Sequence, residues 1–204
     1  MNSLNMADVA RCRTGIDRML EEALSLRSHI ANNYIEIIAE IVVVITECLR
    51  NNGKVFIFGN GGSAADAQHF AAEFVGRYKK DRIALPVLAL TTDTSILTAI
   101  ANDFGYDQVF SRQLEALARV GDVAIALSTS GKSPNVLRAI ESARSLGVRT
   151  IGLSGDRGMA AIVDWQISIP SSETPRIQEM HMTILHLICE LVEPAFEFGD
   201  KFRT

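Results

Sequence analysis

His69 and Glu73 stand four residues apart in a segment that reads as helix, so an imidazole and a carboxylate share one helical face. Such a pair suits metal ligation or joint acid and base work on a substrate proton. A pair at this spacing is also an ordinary surface contact. Its position argues for chemistry, because it follows closely on the loop Gly59-Asn60-Gly61-Gly62-Ser63, which ends the apolar run Val55 to Phe58. Glycines there let the backbone approach a ligand, and Ser63 is placed to cap the helix that follows.

A second polar cluster reads Arg176-Ile177-Gln178-Glu179-Met180-His181, with His186 beyond it on the same helical stretch. Gln178 and His186 are eight residues apart, about 80° around a helix and roughly 12 Å along it, so they share a side but not a point. His181 competes with them, although a histidine on a mostly apolar helix is usually a packed, hydrogen-bonded residue. His29 has no neighbour that suggests a role.

The third group is Ser128-Thr129-Ser130-Gly131-Lys132-Ser133, between the apolar run Val123 to Leu127 and a helix-like segment opening at Pro134. A strand-to-helix turn of this kind offers backbone N-H groups, helix-dipole charge and hydroxyls to a phosphate, and proline suits the first helical turn. A Ser-rich turn can also do no more than cap a helix. Gly-Lys-Ser suggests a nucleotide P-loop, but that motif requires glycine where this chain has Ala126. A dinucleotide fold is the rival at the first loop, since Gly59, Gly61 and Ala64 fit its glycine pattern. The acidic residue expected at the next strand end is replaced by Thr91 and Thr92, with Asp93 only beyond them. A cradle for a small phosphorylated ligand fits the turn better than either.

These groups need a frame that brings strand ends together. Strand-like runs at Val55 to Phe58, Val87 to Leu90, Val123 to Leu127, Thr150 to Leu153 and Trp165 to Ile169 alternate with helix-like segments. The pattern predicts an α/β fold, a doubly wound, mainly parallel five-stranded sheet with ligands beyond its carboxyl ends. Ahead of it, apolar residues recur at helical spacing from Ala7 to Arg50, so residues 1–52 are expected to form two amphipathic helices, broken near Ala31-Asn32-Asn33. Residues 53–204 form the remaining domain, with the whole chain one structural unit. The apolar face of the leading helices must pack on its own domain or on a second subunit.

The 204 residues suffice for one domain with a helical arm. A formal net charge of -4 lacks the basic field of a general nucleic-acid binder, so the expected partner is small. Cys12, Cys48 and Cys189 are widely spaced and odd in number, which reads as reduced cytoplasmic thiols. Met1 to Arg13 shows no basic-then-apolar secretory pattern, and charged residues interrupt the apolar stretch Ile35 to Leu49, which reads as a buried helix with no membrane span.

Together the motifs at Gly59 to Phe74, Gly76 to Tyr78, Asn102 to Tyr106, Ser128 to Ser133 and Arg176 to His181, with His186, resemble those of the phosphoheptose isomerases, a family of sugar isomerase (SIS) domain proteins. The resemblance implies a homotetramer with active sites at subunit interfaces. The implied reaction converts sedoheptulose 7-phosphate to D-glycero-D-manno-heptose 7-phosphate through an enediol(ate). On the matching positions, Ser128, Thr129, Ser130 and Ser133 would hold the phosphate, and Asn60, Gly61, Gly62, Asn102 and Asp103 would contact the sugar. Without the family, Asn102 and Asp103 read as turn residues. The resemblance further implies that His69, Glu73, Gln178 and His186 bind zinc, that Glu73 and Gln178 also meet substrate, and that Glu73 and His186 form the acid/base pair. Lys132 replaces the asparagine of many relatives, and Pro175 replaces an acidic residue of some. An alternative is a non-catalytic interaction protein resembling the DnaA initiator-associating protein, whose family shares the fold and lacks the counterparts of Glu73 and His186. A third is an isomerase or binding module for another sugar phosphate, such as arabinose 5-phosphate.

Overall fold

The computed structural model describes residues 5–197; the outermost residues of the 1–52 and 53–204 segments lie outside that range. Helix α1 (Met6–Asn33) starts at Asn5, whose side chain accepts a hydrogen bond from the Ala7 N-H, with Asp8 in the first turn facing the positive end of the helix dipole. Helix α2 (Ile35–Arg50) leaves α1 at 72°, the break falling at Tyr34. The expected break near Asn32 is therefore met within two residues. The β-branched run within α2 stays helical because its apolar positions fall on one face: Ile38, Ile41, Ile45 and Leu49 are buried while Val43 is exposed. No single described helix is long and apolar enough to cross a membrane, although α1 and α2 pass that test as a bent pair.

Five strands follow: β1 (Val55–Gly59), β2 (Val87–Ala89), β3 (Val123–Ser128), β4 (Arg149–Ser154) and β5 (Trp165–Ser168). All neighbouring pairs are parallel, in the order β2-β1-β3-β4-β5. Helix α3 (Gly62–Val75) follows β1 and α6 (Pro134–Ser145) follows β3, while α4 (Thr94–Phe104) and α5 (Ser111–Leu117) lie between β2 and β3. Helix α7 (Thr174–Val192) closes the fold after β5.

Strand alternation builds a core on each side of the sheet. Val55 and Ile57 of β1, with Val123, Ile125 and Leu127 of β3, join α2, α3 and α7 on one face. Phe56, Phe58, Ala124 and Ala126 join α4, α5 and α6 on the other. Strands buried on both faces read as unbroken apolar runs, and every residue of β1 and β3 is buried. The Asp122 carboxylate, 2% exposed, ties down the amino ends of β1 and β3 by accepting from the backbone N-H of Lys54 at 2.8 Å and of Arg119 at 2.8 Å.

Helices α3 and α7 pack against each other and are joined at one end by a buried ion pair. Arg82 Nε lies 3.5 Å from Glu193 Oε1, with both side chains almost wholly buried. The guanidinium also donates to the carbonyls of Glu73 and Phe74, in the last turn of α3, and to that of Ile83 beyond it. Glu193, just past α7, accepts from the backbone N-H groups of Tyr78, Lys79 and Lys80. Burial alone would raise the Glu193 pKa, but these bonds and the Arg82 charge outweigh it and hold the carboxyl below its ordinary value.

Glu193→Leu leaves Arg82 buried without its counter-charge, a loss that costs about 3–5 kcal/mol. Urea unfolding at neutral pH should show a destabilisation of that order. Because the folded pKa lies below the unfolded one, the wild-type increment is full above the ordinary carboxylate range and fades as pH falls through the folded value. The gap between variant and wild type should therefore narrow in acid.

Candidate active site

The loop Gly59–Gly62 and the turn Ser128–Ser133 lie side by side because β1 and β3 pair in register, Gly59 opposite Leu127. A Cβ on Gly59 would sit 2.8 Å from the Leu127 carbonyl, so only glycine allows this approach. Gly61 has φ +58° and stands just before α3, which begins at Gly62 with no side-chain cap. Ser63 therefore lies within the first turn and is buried, in place of the capping role expected for it.

Along α3, His69 and Glu73 face α7 as their spacing requires. His69 Nε2 is 3.4 Å from Glu73 Oε1 and 2.9 Å from His186 Nε2, so one imidazole N-H donates to the other ring. One ligand atom from each of the three residues lies within 4.8 Å of the others. Two imidazole nitrogens and a carboxylate oxygen are a donor set that fits zinc or a similar divalent ion. Tyr78 closes one side, its ring 5.7 Å from that of His186. Gln178 lies at the other end of the interface, where a Cβ on Gly62 would meet its Nε2 at 2.3 Å. Gln178 and His186 line one pocket of about 480 Å³ with Asp66 and Pro175. The Asp66 Oδ2 is buried without a hydrogen-bond partner among the described residues, and burial raises its carboxyl pKa.

His181 is separated from this group. It is fully buried, and its Nε2-H donates to the Ser154 carbonyl at 3.3 Å. Burial pushes its pKa down to about 4, so it is a neutral packing residue at pH 7. His29 pairs with Asn33 one turn on in α1.

In the serine turn, Ser128 Oγ is 3.1 Å from Ser133 Oγ and 3.5 Å from Ser130 Oγ. Ser133 is the N-cap of α6 and makes no side-chain cap bond; Pro134 has no N-H and the Val136 N-H bonds Asn135 Oδ1, so the Asn135 N-H is the group of that first turn without a partner among the described residues. Thr129 is half-buried and holds the turn through its carbonyl, which accepts from the Gly155 N-H at 3.1 Å. Gly131 has φ +65°, and a Cβ there would fall 1.8 Å from the Gly158 carbonyl. Lys132 is exposed, and its backbone N-H donates to Ser130 Oγ at 3.2 Å.

Asn102 and Asp103 sit in the last turn of α4, a helix end where residue type alone suggested a loop. Their side chains bond each other at 2.7 Å and are exposed. Asp93, the misplaced acid of the dinucleotide reading, caps α4 by accepting from the Ile96 N-H at 2.9 Å. Asn60 does connect outward: its Oδ1 accepts from the Tyr106 hydroxyl at 3.2 Å and from Asn135 at 2.8 Å. Tyr78, Asp66 and Asn135 do not stand out in the sequence. The only signals for them are the Gly76 to Tyr78 motif, the i-3 spacing of Asp66 from His69 and the place of Asn135 just past the serine turn.

The SIS domain family matches residues 19–155. Among curated proteins, the chain is 55% identical over 166 residues to the phosphoheptose isomerase of Geotalea daltonii, covering 80% of this chain and 86% of that one. It is 59% identical over 160 residues to that of Rhodospirillum rubrum, covering 78% and 85%. Among solved structures, the phosphoheptose isomerase of Neisseria gonorrhoeae superposes with TM-score 0.83 at 40% identity, covering 90% of this chain and 99% of that one. That of Francisella tularensis gives 0.85 at 33% identity, covering 90% and 98%.

Gly131→Ala should distort the serine turn, since a side chain there clashes with backbone and sits at a φ that only glycine takes readily. The expected result is at least a tenfold loss of affinity for inorganic phosphate in calorimetry, with far-UV circular dichroism unchanged.

Proposed function

The chain belongs to the phosphoheptose isomerase family of SIS domain proteins, and we propose that it converts sedoheptulose 7-phosphate to D-glycero-D-manno-heptose 7-phosphate. The observation that carries this reading is the meeting of Glu73 with His69 and His186 across α3 and α7, in a chain 55% and 59% identical to two phosphoheptose isomerases. Moving a carbonyl from the second carbon to the first takes a proton from the first carbon, returns one to the second, and passes another between the two oxygens. Glu73 takes and returns the carbon proton. The His186 imidazole serves the oxygens, forming the enediol(ate) between the two steps.

Ser128, Thr129, Ser130 and Ser133 hold the phosphate, with the α6 amino terminus adding its dipole. Anchoring that end helps orient the ketose so that its reacting carbons stand at Glu73. Asn60, Gly61, Gly62, Asn102, Asp103 and Gln178 contact the sugar. Of the four expected ligands, His69, Glu73 and His186 would hold a zinc ion together, while Gln178 lies at the other end of the α3–α7 interface. When bound, it would stabilise negative charge developing on the substrate oxygens.

We assign the active form to a homotetramer with sites at subunit interfaces. Supporting this, His186 lines an apolar groove of about 630 Å³ between α1, α2 and α7, whose walls include Ile35 and Leu191, both more than half exposed. A contiguous apolar surface of this kind favours burial against another chain. A cytoplasmic location agrees with three unpaired cysteines, of which Cys48 and Cys189 are buried. The non-catalytic alternative gains no support, since the acid/base pair whose loss marks that family is complete.

Purified protein should convert sedoheptulose 7-phosphate to an aldose and prefer it over arabinose 5-phosphate in a side-by-side substrate panel. Glu73→Gln should lower kcat at least a thousandfold while phosphate-ester binding persists; a variant that turns over normally would remove Glu73 from its role. Leu191→Arg should shift the tetramer towards smaller species in light scattering and lower activity with them.

A further inference from the structure

We propose that Asn135, with Tyr106, is a positioning residue that makes the Asn60 amide a one-way donor to a sugar oxygen. The inference rests on the isomerase reading and deepens it at one side chain. Asn135 is 3% exposed, at the second position of α6 and immediately behind the serine turn. Its Oδ1 accepts from its neighbour's backbone N-H, that of Val136, at 3.0 Å. A backbone N-H can only donate, so this bond fixes which end of the Asn135 amide is oxygen.

The rest follows by complementarity. Asn60 Nδ2 donates to Asn135 Oδ1 at 2.9 Å, and Asn135 Nδ2 donates back to Asn60 Oδ1 at 2.8 Å. The Tyr106 hydroxyl donates to the same Asn60 oxygen at 3.2 Å. Both acceptor sites of that oxygen are thereby filled. The second N-H of Asn60 Nδ2 has no partner among the described residues, and Asn60 is only half-buried. The polar group that Asn60 has left for a ligand is therefore an N-H, which recognises an oxygen acting as acceptor. A carbonyl or enediolate oxygen qualifies without restriction, whereas a hydroxyl must turn its own proton elsewhere. Because Asn135 follows directly on the turn that holds phosphate, the amide pair also ties this donor to the phosphate position. A phosphate anchor and an oxygen-seeking N-H at set separation select the sugar part of the ester.

The test combines steady-state kinetics on sedoheptulose 7-phosphate with inhibition by inorganic phosphate and with melting temperature. Asn60→Ala should lower kcat/KM on the order of a hundredfold, the usual loss for one preorganised donor, with the inhibition constant for inorganic phosphate unchanged. Asn135→Ala and Tyr106→Phe should lower kcat/KM about tenfold and a fewfold respectively, yet add nothing in the Asn60→Ala background, since both act through that amide. Asn135→Leu keeps the volume and removes both amide functions without adding charge beside the serine turn, so it serves if the alanine variant fails to fold, with a loss of similar size expected. Additive losses, a wild-type-like Asn135→Leu, or an inorganic phosphate constant that moves in step with kcat/KM would overturn the proposal. If wild type shows no turnover, the isomerase reading falls by itself. Calorimetric affinities for sedoheptulose 7-phosphate against inorganic phosphate in the same variants then judge the amide pair, because only the sugar ester should weaken.

Discussion

The site exists because α3 and α7 are held face to face. His69 and His186 are 117 residues apart in the chain, yet their ring nitrogens lie 2.9 Å from each other. Neither helix places that contact alone. Phe70 and Phe74 on α3, and Ile184, Leu185 and Ile188 on α7, bury their side chains in one core, with β1 and β3 between these helices and the other face. The Arg82 and Glu193 pair then seals the end nearest Glu73, whose own carbonyl receives one of the guanidinium N-H groups. Breaking a buried pair of this kind exposes the full desolvation cost of the surviving charge, so the fold tolerates little drift where the Glu73 carboxylate is carried.

The sheet supplies the second constraint. Parallel strands in register deliver their carboxyl ends to one edge, and the two central strands β1 and β3 end in loops with different chemistry: glycines and Asn60 after β1, hydroxyls after β3. The long connection through β4 and β5 is needed to bring α7 back beside α3, which is why Gln178 and His186 come so late in the chain. Helix α1 and the exposed side of α2 contribute less to this core. Much of α1 is exposed, including Leu20 and Leu24 at 59% and 64%.

The strands were legible because short apolar runs bounded by glycine and polar turns suit a strand buried on both faces and are too brief for a helix, and all five lie within two residues of their expected limits. The triad was legible through the i,i+4 spacing of His69 and Glu73 and through the family motif at Gln178 and His186. Asn102 and Asp103 misled as turn residues because both types favour turns by local hydrogen bonding, while here the helix runs one residue past them to Phe104 before Gly105 ends it. Ser63 misled for a related reason: Gly61 at positive φ takes the cap position, which no propensity scale registers. Arg82 and Glu193 were beyond reach, since a buried ion pair between residues this far apart leaves no periodic trace. The Asn60 and Asn135 pair was hidden likewise, each residue alone resembling any loop or helix-start asparagine.

Lys132 shows how the turn can vary without losing its logic. Its backbone N-H supports Ser130 while its side chain lies in solvent, so the position serves geometry through the main chain and leaves the side chain free to change. A lysine there would add positive charge near a phosphate held by the turn as proposed, but exposed charges are screened within about 8 Å at physiological ionic strength, so its attraction would act mainly on approach. In that reading the hydroxyls, which bond at contact, would set the affinity of the bound state. Glycine at 131 is the fixed element of the turn, since the Gly158 carbonyl occupies the space a side chain would need. The surface of this site is thus free to drift in charge while the backbone beneath it stays held.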